Sequence, residues 1–265
     1  MQAREPAVAG RFFPATRTAE TVRELMADAA PAQRVHAIVA PHAGWMYSGA
    51  IAAQTWARAE VPRRVILMCP NHTGMGVRGS LWSGGAWKIP GGAIAIDDEL
   101  RNAIAEHTEL ELDTGAHLRE HAIEVHLPML AVRNPSARIV PIVLARMSEP
   151  ECRRLGEGLQ RAIAASGDDV LVVASTDMSH YVPAEHARRL DALALARIEA
   201  LDPAGLHATV EREQISMCGY VPTTVALHCA IANGARHAEL VRYGNSGETS
   251  GDFDRVVGYA GLTVS

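Results

Sequence analysis

Residues Val172–Tyr181 read VVASTDMSHY, an apolar run of small and β-branched side chains that passes directly into a polar segment with Asp177 and His180. Short apolar runs bounded by polar residues are typical of strands buried within a parallel sheet. The same order, a buried run followed closely by a histidine, recurs in IVAPHAG (38–44) and LMCPNHTG (67–74). Three such runs predict an α/β fold whose polar strand ends meet at one edge of the sheet.

The rest of the chain alternates short apolar runs with longer helical patterns, which favours a central, mostly parallel or mixed sheet flanked by helices. No repeat, low-complexity linker or boundary interrupts the alternation, so residues 1–265 are expected to form a single domain. The run from 35 to 69 is interpreted as a βαβ unit, and Pro128 is expected to end or kink a helix. The predicted strands are 35–40, 64–69, 138–144, 169–174, 238–243 and 255–263, with a hairpin or irregular β segment at 77–96. The predicted helices are 18–29, 48–59, 97–107, 119–133, one between residues 144 and 169, 184–200, 203–213 and 221–233.

The composition argues against several classes of protein. The net charge is −5, Lys88 is the only lysine and the arginines are scattered, so general affinity for nucleic acid is not expected. No apolar run reaches the roughly 18 residues that span a bilayer. The N-terminus lacks the hydrophobic core of a signal peptide, and a cytoplasmic protein is therefore expected. The cysteines lack paired spacing and are expected to be free thiols or metal ligands: Cys69, Cys152, Cys218 and Cys229.

Candidate functional residues follow three of the predicted strands. His42 follows the strand at 35–40, His72 follows the strand at 64–69, and Asp177 and His180 follow the strand at 169–174. Parallel strands present their carboxyl ends at the same edge of a sheet, and ligands bind in the crevice outside that edge. We therefore expect these side chains to converge.

Two further segments could contribute to the same site. ISMCGYVPTT places Cys218 beside Gly219, immediately before an apolar helix. LREHAIEVHLPML places His121 and Glu124 on one helical face, with His126 off that face. Imidazoles with a thiolate suit Fe(II), Cu or Zn and leave coordination positions open. A nearby histidine that is not a ligand, oriented by a carboxylate, could act as a general acid or base.

Each residue also has a purely structural interpretation. A histidine after a strand can be an ordinary polar loop residue, Cys218 can be an inert small hydrophobe, and Asp177 can cap the next segment. Glu124 can be a solvated helix residue. Four residues are expected to lie in the core: Cys69, Cys229, His36 and His228. Five histidines are expected at the surface or in loops: His107, His117, His186, His207 and His237.

Seven short motifs that run from the N-terminus to the last strand resemble, in order, those of the Memo family. In bacteria and archaea that family also appears as the B component of the AmmeMemoRadiSam system. The motifs are REPAVAGRFFP, PHAGWMYSG, PNHTG, EHAIEVHLPML, STDMSHY, CGYVPTTVAL and GNSGETSGD.

The resemblance implies a fold related to the class III extradiol dioxygenases, a single α/β domain with a central sheet flanked by helices. Those enzymes hold non-haem iron with two histidines and a glutamate, and Memo-like proteins have a cysteine in place of the glutamate. Carried onto this chain, the metal-binding positions are His42, His72 and Cys218. Asp177 and His180 match a pair lining the same pocket, with His180 at the acid–base position. His121 lies in the matching EH motif and is expected to line the pocket too.

The leading hypothesis is a metal-binding, dioxygenase-like protein with one transition metal ion, iron or copper, and zinc as a further option. A thiolate ligand is softer than a carboxylate, so ordinary ring cleavage is less expected than another oxygen-dependent oxidation of a small or peptidic substrate. A radical-SAM protein and an AMMECR-type protein are the implied partners. Two alternatives stay open. The crevice could bind a peptide, metabolite or partner without catalysis, or the same ligands could form a zinc hydrolase.

Overall fold

The computed structural model describes residues 2–265, which fold around one mixed β-sheet. The helices are α1 (Thr18–Met26), α2 (Trp45–Arg58), α3 (Asp98–His107), α4 (Leu127–Arg133), α5 (Glu149–Ser166), α6 (Ala184–Glu199), α7 (Pro203–Arg212), α8 (Tyr220–Ala232) and α9 (Gly247–Ser250), with a 3₁₀ turn at Glu124–His126. The strands are β1 (Ala37–Ala40), β2 (Arg64–Pro70), β3 (Gly79–Trp82), β4 (Trp87–Ile89), β5 (Gly92–Ile96), β6 (Glu111–Asp113), β7 (Arg138–Leu144), β8 (Val170–Ser175), β9 (His180–Val182), β10 (Ala238–Asn245) and β11 (Val256–Val264).

The main path of the sheet has the strand order β10-β11-β1-β8-β2-β7-β3-β6. The four central strands β1, β8, β2 and β7 are parallel. Antiparallel neighbours flank them, with β11 beside β1 and β3 beside β7. The predicted fold class, a single α/β domain with a mixed sheet between helices, is confirmed.

Alternate side chains of the central strands enter two separate cores, one on each face of the sheet. In β2, Met68 packs in the core covered by α3, α5, α7 and α8, whereas Leu67 and Cys69 pack in the core beneath α1, α2 and α4. Both faces of the sheet are therefore buried, which explains why the central strands are continuous apolar runs. None of the helices among residues 2–265 combines the length and the apolarity needed to cross a membrane.

One sequence-based expectation about the elements is confirmed, and two features differ from the prediction. Residues 35–69 form the predicted βαβ unit, because β1, α2 and β2 follow in order and both strands are parallel to β8, which lies between them in the sheet. The short strands β6 and β9 were not predicted. The segment 119–133 is not one helix, because turns and the 3₁₀ turn precede α4, and Pro128 lies in the first turn of α4 rather than at its end.

Candidate metal centre

Three neighbouring parallel strands bring the candidate loops together. Strands β1, β8 and β2 are adjacent, and Ala40 at the end of β1 pairs in register with Ser175 at the end of β8. His42, Asp177 and His72 each lie two residues beyond the end of their strand. The topology therefore sets all three at the carboxyl edge of the sheet, where parallel α/β sheets bind their ligands.

Cys218 reaches the same edge from the loop that precedes α8. Its Sγ lies 3.3 Å from His42 Nε2. One ligand atom from each of His42, His72 and Cys218 lies within 4.8 Å of the others, a spacing that can hold a metal ion. Gly219 allows this approach, because a Cβ at that position would lie 2.3 Å from the carbonyl oxygen of Ser175.

His72 is oriented by the buried carboxylate of Glu120. The backbone N–H of His72 donates to Glu120 Oε2 at 2.8 Å, and the ring Nδ1 lies 2.9 Å from Oε1. A carboxylate accepts, so Nδ1 carries the proton and Nε2 keeps a free lone pair. This carboxylate–histidine arrangement is the usual support of a histidine that binds a metal.

Glu120 itself is better explained as support than as a ligand. Oε1 also accepts from the backbone N–H groups of His121 and Ala122, at 2.9 and 3.1 Å. Burial raises the pKa of Glu120, but hydrogen bonds from His121 and His72 outweigh burial and the pKa is lowered. The carboxylate is thus ionised and occupied by donors. The alternative donor group of His72, Glu120 and His121 therefore suits a metal less well than the group with Cys218.

The N-terminal REPAVAG motif holds the segment that contains Glu120. The guanidinium of Arg4 donates to the carbonyl of Glu120 at 2.6 Å and to Glu124 Oε2 at 2.8 Å, and Arg4 and Glu124 are both buried. Glu124 also accepts from the backbone N–H groups of Ala7 and Val8. The interpretation of Glu124 as a solvated residue was wrong, because it forms a buried ion pair that ties the N-terminus to the site.

His42 forms the buried floor of the cluster. Its side chain is 2% exposed, against 32% for His72 and 21% for His121. The backbone N–H of His42 donates to Asp177 Oδ1 at 2.8 Å, and the ring Nδ1 lies 2.7 Å from Ser175 Oγ. Burial, followed by the nearby imidazoles, lowers the pKa of His42 well below its usual value. The ring is therefore neutral near pH 7, as a metal ligand must be.

Asp177 and Cys218 share one desolvated corner of the site. The backbone N–H of Asp177 donates to Cys218 Sγ at 3.3 Å. Burial raises the pKa of Asp177, and burial together with the Asp177 charge raises the pKa of the Cys218 thiol. Cys218 is thus a thiol until a cation replaces its proton.

His121 and His180 have different surroundings. The His121 ring centroid lies 4.7 Å from that of His72 and 5.4 Å from that of His42, so His121 faces the candidate ligands directly. His180 is oriented by Ser216 rather than by Asp177. Its backbone N–H donates to Ser216 Oγ at 2.7 Å, and its Nδ1 donates to the Ser216 carbonyl at 2.8 Å. Its Nε2 is therefore unprotonated in the neutral ring.

Several residues of structural importance were missed or misassigned from the sequence. His117 and His207 are buried rather than at the surface, and His36 and His228 are only partly buried. Cys69 and Cys229 lie in the core as expected. Among the support residues, only Glu120 has a signal in the sequence, its place beside His121 in the EH pair. No pattern in the sequence indicates the roles of the others, which are Arg4, Ser175, His126 and Ser216.

Comparison with known proteins places the chain in a family. The family profile described as "Memo-like protein" matches residues 4–263. A MEMO1 family protein of Aquifex aeolicus is 39% identical over 99% of both chains. One from Methanothermobacter thermautotrophicus is 37% identical over 98% of this chain and 99% of its own, and one from Aeropyrum pernix is 34% identical over all of both.

A solved structure supports the fold alone. The crystal structure of the uncharacterized protein JW3007 from Escherichia coli K12 superimposes with a TM-score of 0.57 at 11% identity, covering 87% of this chain and all of that one. The extent and identity of the sequence matches confirm what the seven motifs indicated. The chain belongs to the Memo-like protein family.

Proposed function

We propose that His42, His72 and Cys218 hold one transition metal ion, iron or copper, and that the protein uses it in an oxygen-dependent oxidation of a small or peptidic substrate. The observation that supports this proposal most strongly is the approach of two imidazoles and a thiol to within 4.8 Å of one another at the carboxyl edge of the sheet. Nitrogen and sulfur donors suit these metals, and three protein ligands leave positions open. The donor set therefore fits the ion.

A bound redox-active ion would supply the route for electrons between substrate and dioxygen. The surrounding residues have separate tasks. Glu120 orients His72, and Asp177 fixes the backbone of His42. His180 offers an unprotonated Nε2 that can accept a proton from a substrate hydroxyl or amine, while Ser216 holds the ring. His121 faces the candidate ligands, and its Nε2 can accept a hydrogen bond from the substrate because its Nδ1 lies 3.2 Å from Glu120 Oε1.

A small cleft lies beside Cys218. The cleft has a volume of about 300 Å³, and its lining combines apolar residues such as Leu144 and Val221 with the polar residues Asn71, Arg146 and Tyr220. A volume of this order accepts a small molecule or a single side chain of a peptide. This supports the proposed substrate class.

Cobalt substitution tests the ligand assignment. Metal-free protein titrated anaerobically with Co(II) should develop one equivalent of tetrahedral d–d absorption and a thiolate-to-cobalt charge-transfer band in the near ultraviolet. The charge-transfer band should be lost in Cys218→Ser and kept in the control Cys152→Ala, whose thiol is buried in α5. A band that survives in Cys218→Ser would show that Cys218 is not a ligand.

Oxygen uptake separates the redox proposal from zinc hydrolysis. Protein loaded with Fe(II) or Cu(I) should consume dioxygen faster than the His42→Ala variant treated in the same way, and His180→Gln should slow only the step that depends on substrate. A zinc-loaded protein that hydrolyses esters or amides and ignores dioxygen would overturn the redox assignment.

We also propose a radical-SAM protein and an AMMECR-type protein as partners, on the strength of the resemblance to the AmmeMemoRadiSam system. Genes for both beside this one, and co-purification of the proteins after co-expression, are the expected outcome. Their absence from the genome would contradict the proposed partnership.

A further inference from the structure

The hydroxyl of Ser175 lies at the centre of a buried hydrogen-bond relay behind His42. Ser175 Oγ lies 2.7 Å from His42 Nδ1, 2.9 Å from His126 Nε2 and 2.7 Å from the carbonyl oxygen of Ala122. Ser175 is 1% exposed and His126 is fully buried. Each polar atom in the relay therefore has to be satisfied by the others.

Counting protons at Ser175 fixes the direction of each bond. A serine hydroxyl has one proton to donate and two lone pairs to accept. The Ala122 carbonyl can only accept, and two oxygens 2.7 Å apart need a proton between them, so the Ser175 proton points to Ala122. Both imidazole nitrogens must then donate to Ser175. The proton of His42 consequently lies on Nδ1.

The contact between His126 and Trp56 independently places the His126 proton on Nε2. The indole Nε1–H of Trp56 lies 3.1 Å from His126 Nδ1, and an indole nitrogen can only donate. Nδ1 of His126 is therefore unprotonated, and the ring proton lies on Nε2, which faces Ser175. The contacts of Ser175 with Ala122 and of His126 with Trp56 therefore require the same proton positions.

We propose that Ser175 and His126 are positioning residues that hold His42 as its Nδ1–H tautomer, with the Nε2 lone pair directed to the ligand position beside Cys218. The part of this inference that concerns metal rests on the proposed function, whereas the tautomer itself does not. Trp56, at the end of α2, closes the relay in the core.

The relay gives the two candidate histidine ligands different supports. His72 donates to the carboxylate of Glu120, an anion that increases the basicity of the imidazole. His42 donates to a neutral hydroxyl and stays in place through burial. Both rings thus present Nε2, but His42 depends on the chain of hydroxyl, imidazole and indole rather than on charge.

Nitrogen NMR of metal-free protein tests the tautomer directly. In protein labelled with ¹⁵N-histidine, long-range ¹H–¹⁵N correlations should show His42 with a protonated Nδ1 and a pyridine-like Nε2, and His126 with the reverse pattern. Loss of one set of signals in His42→Gln and of another in His126→Gln assigns the rings. His42 with its proton on Nε2 would overturn the proposal, and this experiment needs no metal.

Metal affinity then tests the consequence. Ser175→Ala should lower the affinity for Co(II) about 10–100-fold and should give His42 ring shifts averaged between tautomers. Ser80→Ala is the matched control, since its buried hydroxyl lies 2.8 Å from the ring of His117, outside the cluster. An unchanged affinity and an unchanged tautomer in Ser175→Ala would contradict the proposal.

The two proposals can fail separately. If wild-type protein binds no metal but His42 is the Nδ1–H tautomer, the relay is correct and the proposed function is wrong. If metal binds through Cys218 but His42 carries its proton on Nε2 in the metal-free protein, the relay is wrong and the metal site survives.

Discussion

The Glu120 carboxylate accepts two hydrogen bonds from His72, one from the backbone N–H at 2.8 Å and one from the ring Nδ1 at 2.9 Å. A glutamine there would turn one acceptor into a donor that faces existing donors. We expect Glu120→Gln to lower metal affinity about 10–100-fold, because His72 loses its orientation and some basicity. Competition with a chromogenic chelator measures this effect. Glu111→Gln, at an exposed position in β6, is the control, and a wild-type affinity in Glu120→Gln would refute the support role.

Gly219 lets the Cys218 loop lie against the end of β8. A Cβ would lie 2.3 Å from the Ser175 carbonyl oxygen and 2.5 Å from Thr176 Cβ. Gly219→Ala is expected to lower the free energy of unfolding by about 1–3 kcal/mol through overpacking, and to weaken the thiolate-to-cobalt band. Gly92→Ala, with no atom within 4 Å of the added Cβ, should change neither property. A normal cobalt spectrum in Gly219→Ala would show that the loop tolerates displacement.

The buried pair of Arg4 and Glu124 stabilises the segment that carries His121. Arg4→Ala leaves the Glu124 carboxylate buried without its cation, a change that typically costs about 3–5 kcal/mol. Urea denaturation of the metal-free protein should show this loss. Arg17→Ala removes an exposed ion pair with Glu20 and should leave the transition near that of wild type. Equal urea midpoints for Arg4→Ala and Arg17→Ala would contradict the conclusion that the pair of Arg4 and Glu124 stabilises the fold.

Stability should depend on pH through His117. Burial lowers the pKa of His117 from 6.5 to about 3. Above pH 6.5 the ring is neutral in both states and has no effect. As the pH falls from 6.5 towards 3, the unfolded chain takes up the proton and the folded protein does not, so the folded state loses stability.

His117 alone can change the free energy of unfolding by at most about 1.4 kcal/mol per pH unit. His117→Gln should remove that part of the slope in the metal-free protein, measured by urea unfolding at a series of pH values. His237→Gln, at an exposed position, should keep the wild-type slope. Identical slopes in all three proteins would mean that His117 charges freely in the folded state.

The fold and the location of the cluster followed from local pattern. The strand at 138–144 was predicted with its observed bounds because both of its faces are buried, which leaves a continuous apolar run. The convergence of His42 and His72 followed from a general property of parallel sheets. Neither inference needed knowledge of which strands are neighbours.

The remaining features depend on tertiary contacts that periodicity does not encode. The apolar spacing of 119–133 indicated a helix, but the Glu120 carboxylate accepts the backbone N–H groups of His121 and Ala122 and stabilises a turn instead. The insertion of β8 between β1 and β2 leaves no trace in either strand. Ser175 gains its role only from neighbours that are 49 to 133 residues away in the chain.

Metal analysis of untagged protein purified anaerobically tests the central claim most directly. Wild-type protein should contain about one iron or copper ion per chain, and a folded His42→Ala, Cys218→Ala double variant should contain none. Circular dichroism and the urea transition establish that the variant is folded. If wild type and variant hold equal amounts of metal, or if both stay empty after reconstitution with Fe(II), Cu(I) and Zn(II), then His42 and Cys218 do not form a metal centre.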